Sequence, residues 1–449
     1  MRVALALAVA LSVAAAPAAV HAATAEVERE LTLDDALALA KKRNKSLVAE
    51  RARVAQAQTN LSAAWARLLP TIAAQGKYTR NYAEFNFPGA VITTPDGQPI
   101  VDAMNVALRT APLLIQPVNQ LDAIISFSAP LIVPAAYPGL QSVKANIGAA
   151  EANFEISETQ LLFAVAQAFY AAGISDEVLV ARRSSIDVTR ATLKNAQTRL
   201  SAGTVTKVDV DRAELALLRA EQLEREARHG REQAYRGLGT LIQVDGPFRV
   251  KTPGSIVVNP PPQEVDMALK LRPEFRALEL STRAADLQST TDAWKWSPSI
   301  SGFGNARKFN YDNFGRDRHS WAVGLQLDWV LYDGGARDSD RHLANAQREE
   351  SEARAAVLRD NIRDDLVTGR SLVETKLQAV SAASRSVELA RETIDLVRTQ
   401  YEAGTVTQVD LLQAQDGLVG AQEALAQARF DLAVADLTLR RTAGTFPPR

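Results

Sequence analysis

One motif, Ala-Gly-Thr-Val-Thr-x-Val-Asp, occurs twice in the chain and constrains its fold more than any other feature. The copies begin at Ala202 and Ala403, so their glycines, Gly203 and Gly404, lie 201 residues apart. A glycine just after a helix can take the left-handed conformation that ends it. The repeated motif therefore predicts an internally duplicated chain with two helix-turn-helix hairpins.

Each copy also carries the residues that start the following helix. Thr206 and Thr407 suit an N-cap position, and Asp209 and Asp410 follow them by three residues. This is the spacing of a capping box, in which the two side chains bond to each other's backbone N–H. Helix capping alone accounts for the type and spacing of both aspartates.

Apolar residues follow a heptad on both sides of the second motif. They recur at alternating spacings of three and four over residues 380–401 and again over 411–439. Such a pattern is typical of a coiled coil, so we predict an antiparallel helical hairpin. The first hairpin is less regular, because Glu224 and Arg231 interrupt its apolar seam.

Two very long helices are predicted to lead into the turns, over residues 138–203 and 335–404. Neither stretch contains an internal proline, and a helix of this length would reach ~100 Å. Shorter helices are predicted over 32–68, where Thr32 starts another capping box, over 206–237 and over 268–296. Two of these placed end to end would match one long helix.

Strand-like alternation follows the shorter helices, in runs near residues 72–82, 122–131 and 321–331 and in a weaker, glycine-rich run after Pro298. Apolar residues occupy every second position, which is the period of a β-strand, and Arg80 breaks the apolar set of the first run. We predict two paired strands in each half, joined by a long loop at 83–120 and a short one around 312–318. The alternation fits outer-membrane barrel strands and also a soluble sheet with one wet face.

Membrane strands would require several chains. Four strands cannot close a barrel, since the smallest barrels have about eight. An open sheet edge in lipid would leave backbone groups without hydrogen bonds. Three chains would supply twelve strands.

The N-terminus has the composition of a secretory signal peptide. Residues 1–22 contain Arg2, an alanine-rich apolar run and a Val-His-Ala cleavage site ending at Ala22. No later stretch was expected to reach the length of an apolar membrane helix. The remaining chain is predicted to comprise repeat 1 (23–240), a connector with short β runs near 248–250 and 256–258 (241–265), and repeat 2 (266–449).

Composition and motifs give no support for catalysis, metal binding or nucleic-acid binding. The chain has no cysteine, and its formal net charge is −1. His229, His319 and His342 lack metal-ligand spacing. The Gly302-Phe-Gly304 segment lacks the strand-to-helix context of a phosphate loop. No cofactor site is predicted.

Several segments together resemble the TolC family of outer-membrane efflux proteins. Leu31-Thr-Leu-Asp-Asp-Ala-Leu37 is similar to the family's opening helix. Leu331-Tyr-Asp-Gly-Gly335 is similar to its strand-to-helix corner, and the two Ala-Gly-Thr turns are similar to its periplasmic hairpin turns. Departures include Lys45, where proline is frequent, and Ala129-Pro-Leu-Ile-Val133 in place of a first Gly-Gly corner.

The resemblance implies an α+β membrane protein, a homotrimer with a 12-stranded barrel in the outer membrane (four strands per chain) and a long α-helical coiled-coil barrel in the periplasm. It implies passive export for an efflux or type I secretion system with a periplasmic adaptor and an inner-membrane transporter. The adaptor would dock on the turns, at Ala202, Gly203, Thr204, Ala403, Gly404 and Thr405.

The resemblance also implies a periplasmic gate at these turns. The matching positions are Asp209, Tyr401 and Asp410, whereas Val406 stands where an arginine is known in the family. Asp211 adds a third acid near the first turn and is included in the predicted gate. A ring of such acids in a trimer would favour cations at the opening. For Asp211, a solvated surface acid is the alternative.

Two other classes of protein fit part of the sequence. A soluble periplasmic coiled-coil adaptor would have one helical hairpin flanked by globular β domains, and a secreted structural protein would have helices without a channel. The two hairpins and the four alternating runs favour the channel.

Overall fold

The computed structural model of the chain describes residues 29–102, 104–253, 264–311 and 317–447. The predicted signal peptide (1–22), the predicted β run at 256–258 and most of the short loop around 312–318 lie outside these residues.

The first half of the chain is dominated by one continuous helix. Its elements, in order, are β1 (Arg29–Leu31), α1 (Leu33–Arg43), α2 (Lys45–Ala66), β2 (Thr71–Arg80), β3 (Phe85–Phe87), β4 (Leu113–Gln116), β5 (Asn119–Ile132), α3 (Ala136–Ser201) and α4 (Lys207–Ile242). Helix α3 has 66 residues, which corresponds to a rod of ~100 Å. The predicted long helix is confirmed.

In the described residues, the second half repeats this order without counterparts of β3 and β4, and its long helix and final helix have similar lengths to those of the first half. Its elements are β6 (Phe248–Val250), α5 (Val265–Leu271), α6 (Pro273–Trp294), β7 (Ser299–Phe309), β8 (His319–Asp328), α7 (Ala336–Glu402) and α8 (Gln408–Thr442). Helix α7 has 67 residues. The β run predicted at 248–250 is confirmed as β6, which pairs in parallel with β1.

Each helix predicted to precede a strand pair is in fact two helices. The breaks lie at Asn44 and Arg272, which are 228 residues apart and both have extended backbone. The Asn44 side chain donates a hydrogen bond of 2.8 Å to the carbonyl of Leu241. Pro273, which lacks an N–H group, starts the helix after Arg272. Apolar periodicity continues across both breaks, so it did not reveal them.

The four predicted strands form one antiparallel sheet in the order β2-β5-β7-β8. The pairs β2–β5 and β7–β8 were predicted within each half, and β5–β7 joins the halves. Strands β2 and β8 are the edges of this sheet. Its apolar face is open to solvent in the single chain, with Ile72 75%, Trp321 74% and Leu325 72% exposed.

The segment predicted as the long loop over 83–120 is folded, which the prediction missed. Strands β3 and β4 pair within it. Beyond them, Ile92, Ile100 and Leu108 lie eight residues apart and close a ring of backbone bonds. The Ile92 N–H donates to the Leu108 carbonyl, Leu108 to Ile100, and Ile100 to Ile92, each at 2.8 Å. These pairings were not predicted because the segment is rich in proline, which is uncommon inside strands.

The most buried side chains lie where the shorter helices meet α3 and α7. One cluster joins α1, α3, α4 and β6 and includes Phe169, Leu238 and Ile242, each fully buried. A second cluster joins α5, α7 and α8 around Ile362 and Leu432. These clusters hold the stacked short helices against the long ones.

The sequence predicted no helix after the signal peptide that is long and apolar enough to span a membrane, but one helix of the structure meets this description. In the described residues one helix, α3, contains an 18-residue window with a mean hydropathy of 1.2, of which 39% is buried. Leu162, Val165 and Phe169 of α3 lie inside the first core cluster. Helix–helix packing therefore accounts for part of its apolar character.

Candidate functional site: the hairpin turns and the exposed sheet

The two motif turns have nearly the same geometry. Gly203 has φ +73° and Gly404 has φ +76°, as the sequence predicted. A Cβ atom at either position would meet no heavy atom within 4 Å. After each glycine, the N–H of Thr204 or Thr405 donates back to the last turn of the helix, at 3.0 and 2.9 Å. Backbone conformation alone therefore requires glycine here.

Both predicted capping pairs form. The backbone N–H and the hydroxyl of Thr206 donate to Asp209 Oδ2 at 3.0 and 2.7 Å. In the second turn, Thr407 donates to Asp410 Oδ2 at 2.9 and 2.6 Å. These hydrogen bonds lower the pKa of both carboxyl groups from the ordinary value for aspartate. Both aspartates therefore remain charged at neutral pH.

The other predicted gate residues have different surroundings. Asp211 is exposed on α4. Tyr401 is only 7% exposed, and within the described chain its hydroxyl oxygen has no hydrogen-bond partner. No hydrogen bond or ion pair joins Asp209 to Asp410 in the part of the chain that the structure describes. The turns are therefore connected through Tyr401 and not through the aspartates.

Arg199, which sequence reasoning missed, makes this connection. Its guanidinium carbon lies 4.6 Å from the centre of the Tyr401 ring, within the range of a cation–π interaction. Its terminal nitrogens also donate to the Tyr401 carbonyl, at 3.4 and 3.5 Å. Arg199 is on α3 and Tyr401 on α7, so the contact ties the first hairpin to the second. The heptad pattern gave no signal for it, because that pattern reports contacts within one hairpin.

Polar groups continue along the α3–α8 contact. Gln415 Nε2 donates to the hydroxyl of Thr192 at 3.1 Å, and Arg182 forms an ion pair with Glu423. Gln408 is 5% exposed, and both polar atoms of its side chain lack a partner among the described residues. A buried polar atom without a hydrogen bond typically costs about 1–3 kcal/mol. Burial of Gln408 therefore lowers the stability of the packing near the second turn.

The residues that interrupt the first seam are paired with α3 or with their own helix. Glu224 is 4% exposed and accepts hydrogen bonds from Arg228 at 2.8 Å and Arg183 at 3.4 Å. Arg231 forms an ion pair with Asp176. The interruption predicted from the heptad is therefore compensated by ion pairs.

The sheet has one apolar and one polar face. Cross-strand partners place Ile125, Ala306 and Trp321 on the same face. On the other face, Arg307 forms an ion pair with Asp122. An apolar band on one face and polar side chains on the other is the pattern of a membrane barrel wall.

Tryptophan side chains mark the end of the sheet that adjoins the helices. The indole nitrogen of Trp329 donates to the Trp296 carbonyl at 3.1 Å. The guanidinium of Arg337 stacks on the Trp296 ring at 3.9 Å and bonds to Asp333 at 2.7 Å. Aromatic girdles of this kind lie at membrane–water interfaces. The strand-to-helix corner therefore lies at one boundary of the membrane-facing band.

Among the residues that the structure describes, no group of three or more histidine, cysteine, aspartate or glutamate side chains is placed to hold a metal ion. His229 contacts Gln233 on its own helix, at 2.8 Å. The predicted gate residues and the exposed face of the sheet are therefore the features from which the function is argued.

Known proteins share this architecture over nearly the whole chain. A model of the outer membrane efflux protein family matches residues 36–242 and 265–445. The crystal structure of CusC superposes with a TM-score of 0.75 at 15% identity, covering 92% of this chain and 91% of CusC. The CmeC outer membrane channel of Campylobacter jejuni gives a TM-score of 0.76 at 15% identity, covering 92% and 85%.

Similarity in sequence agrees with the structural comparison. The outer membrane efflux protein BepC of Brucella suis is 24% identical over 322 residues, which are 69% of this chain and 70% of BepC. The alkaline protease secretion protein AprF of Pseudomonas aeruginosa is 22% identical over 338 residues, 71% of this chain and 69% of AprF. The chain therefore belongs to the outer membrane efflux protein family, a family of channel proteins, and serves as an outer-membrane exit duct with its helical tunnel in the periplasm.

Proposed function

We propose that three copies of the chain form one passive conduit, with repeat 1 (23–240) and repeat 2 (266–449) each contributing two strands and one hairpin. The observation that carries this proposal is the exposed apolar face of a four-stranded sheet, in which β2 and β8 are the edge strands within the described residues. Lipid tolerates no open sheet edge. Pairing β8 of one chain with β2 of the next closes a twelve-stranded wall.

The proposed conduit narrows at the hairpin turns. Asp209, Asp211 and Asp410 of three chains would place negative charge around one opening, which favours cations over anions. Among the described residues, Oδ2 of Asp410 accepts the threonine hydrogen bonds, so its Oδ1 can face the opening. No enzymatic step is part of the function, and the driving force comes from the inner-membrane transporter.

Opening separates one hairpin from its neighbour. The heptads keep each hairpin intact, whereas near the turns the hairpins are joined by the Arg199–Tyr401 interaction. Separating intact hairpins is a switch between two packings. A periplasmic adaptor that grips Ala202–Thr204 and Ala403–Thr405 selects the open packing.

The seam between chains can be tested directly, because the natural sequence contains no cysteine. We expect Thr79→Cys on β2 combined with Ser320→Cys on β8 to form covalent dimers and trimers on oxidation in outer membranes. Both residues lie on the polar face, at the end of the sheet away from the helices. Thr71→Cys with Ser320→Cys places the thiols at opposite ends and is the matched control. Finding only monomer for the first pair contradicts the trimer.

The constriction requires a separate measurement. Asp209→Asn with Asp410→Asn removes two charges per chain while keeping side-chain oxygens that can accept from the backbone N–H of Thr206 and Thr407. In planar bilayers we expect this variant to lose cation preference, and Asp360→Asn, at an exposed position on α7 far from the turns, to keep it. Unchanged ion selectivity in the double variant contradicts the proposed role of the aspartates.

A further inference from the structure

The apolar face of the sheet carries a basic group at one end only. Lys308 pairs with Ala123 on β5 and with His319 on β8. These positions share the face that carries Ile125 and Trp321, since they lie two residues from them along their strands. Lys308 and His319 therefore point to the membrane side, and both are exposed.

Arg80 lies on the same face, at the end of β2. It pairs with Asn119, two residues beyond the Tyr78–Leu121 pair. The Tyr78 hydroxyl donates to Asn119 Oδ1 at 2.9 Å, and Arg80 is exposed. Within the described residues, neither Arg80 nor Lys308 forms an ion pair. This sets them apart from the many arginines of the helices that do.

The basic group marks the outer end of the membrane-facing band. Strand β2 ends at Arg80 and β8 begins at His319, whereas the helices adjoin the opposite ends of these strands. The opposite end of the band carries the exposed aromatic Trp329 and Tyr332. With the helices in the periplasm, the basic residues lie at the level of the outer leaflet.

Exposed cations at this level attract anionic groups of the membrane surface. Directly opposed residues on antiparallel strands have Cβ atoms about 4.5–5.5 Å apart, so Lys308 and His319 can reach the same anion. An oxyanion bound there accepts charge-assisted hydrogen bonds. Arg80, Lys308 and His319 all offer N–H donors to such a group.

We propose that Arg80, Lys308 and His319 bind phosphate groups of a phosphorylated glycolipid in the outer leaflet. The proposal rests on the proposed trimer, in which the β2 edge of one chain meets the β8 edge of the next. Arg80 of one chain then lies at the same seam, and at the same end, as the partner subunit's His319. Each seam forms one site, so that a lipid phosphate links two chains at the outer rim.

Binding of bisphosphorylated lipid A to the detergent-purified, full-length protein tests the proposal. We expect the triple variant Arg80→Gln, Lys308→Gln, His319→Gln to bind about tenfold or more weakly, because the loss of even one charge-assisted hydrogen bond weakens binding by about this factor. Lys77→Gln is the matched control, since Lys77 is an exposed cation on the polar face of the same strand. It should bind like the natural protein.

Further probes separate the possible outcomes. Dephosphorylated lipid A and inorganic phosphate should bind weakly, and phosphatidylglycerol should not replace lipid A. Equal binding by the triple variant, equal loss in the Lys77 variant or equal binding of phosphatidylglycerol overturns the proposal. Cysteine cross-linking and conductance of the same preparations report on the trimer independently. A protein that cross-links and conducts normally yet fails these binding tests overturns only the lipid site.

Discussion

The contact between Arg199 and Tyr401 predicts how a single side chain controls opening. The two hydrogen bonds to the Tyr401 carbonyl are long, at 3.4 and 3.5 Å, so the cation–π interaction at 4.6 Å is the larger contribution. Such a contact is worth about 0.5–2 kcal/mol, depending on its exposure. Taking about 1 kcal/mol per chain, Arg199→Ala favours separation of the hairpins about fivefold in one chain.

In a trimer that opens in one step, three such contacts are lost together. The combined effect of about 3 kcal/mol then raises the ratio of open to closed channels about 150-fold. The measurement is the fraction of time that a reconstituted single channel conducts. Arg398→Ala is the matched control, because Arg398 is a 70% exposed arginine near the same turn, paired with Glu402 on its own helix. We expect this control to conduct like the natural protein.

Tyr401→Phe distinguishes a contact made by the aromatic ring from one made by the hydroxyl. The Tyr401 hydroxyl is buried and has no partner in the described chain, while phenylalanine keeps a ring for Arg199 to stack on. We therefore expect Tyr401→Phe to leave the channel closed and Tyr401→Ala to open it. If Tyr401→Phe opened the channel as strongly as Arg199→Ala, the reasoning would be refuted, because the Tyr401 hydroxyl and not its ring would then hold the two hairpins together. An unchanged Arg199→Ala channel would refute it equally.

Three further predictions concern the turns and the corner below the sheet. Gly404→Ala should destabilise its turn by about 1–2 kcal/mol, because a side chain is unfavourable at φ +76°. Gly417→Ala, at an exposed position inside α8, should instead stabilise that helix by about 0.5–1 kcal/mol. Amide hydrogen exchange measures both effects. Because hydrogen bonds lower the pKa of Asp209 and Asp410, their contribution to turn stability is present above the unfolded value of about 3.9 and is lost as pH falls through the lower folded value. Cation preference should therefore be constant between about pH 7 and 5, and a midpoint near 6 in the conductance titration would contradict this. Arg337→Lys should destabilise the corner by about 2 kcal/mol in thermal unfolding, because lysine cannot reproduce the stacked, forked contacts of the guanidinium.

Local chemistry made the turns and the long helices predictable. Gly203 and Gly404 are required by the left-handed backbone, and Thr206 and Thr407 with their aspartates by capping, so each is readable from a few neighbouring residues. The heptads and the strand alternation are periodic over tens of residues, which makes them robust to single exceptions. The resemblance to the TolC family rested on the same local motifs.

Features that depend on one unusual residue were harder to predict. The breaks at Asn44 and Arg272 leave the apolar period intact, and Asn44 is fixed partly by the distant carbonyl of Leu241. The folded segment between β2 and β5 depends on backbone bonds among Ile92, Ile100 and Leu108. Backbone hydrogen bonds do not require a particular type of side chain, so the sequence did not predict them.

The sequence by itself determined the two long helices, the two turns and the apolar face of the four sheet strands, because these follow from interactions between residues close in the chain. Only the tertiary structure decided which residues of the two hairpins are in contact. Arg199 and Tyr401 are 202 residues apart, and Lys308 meets His319 on the same face as Arg80 through the order of the strands. Such contacts arise when packed elements bring distant side chains together, and no local pattern specifies them.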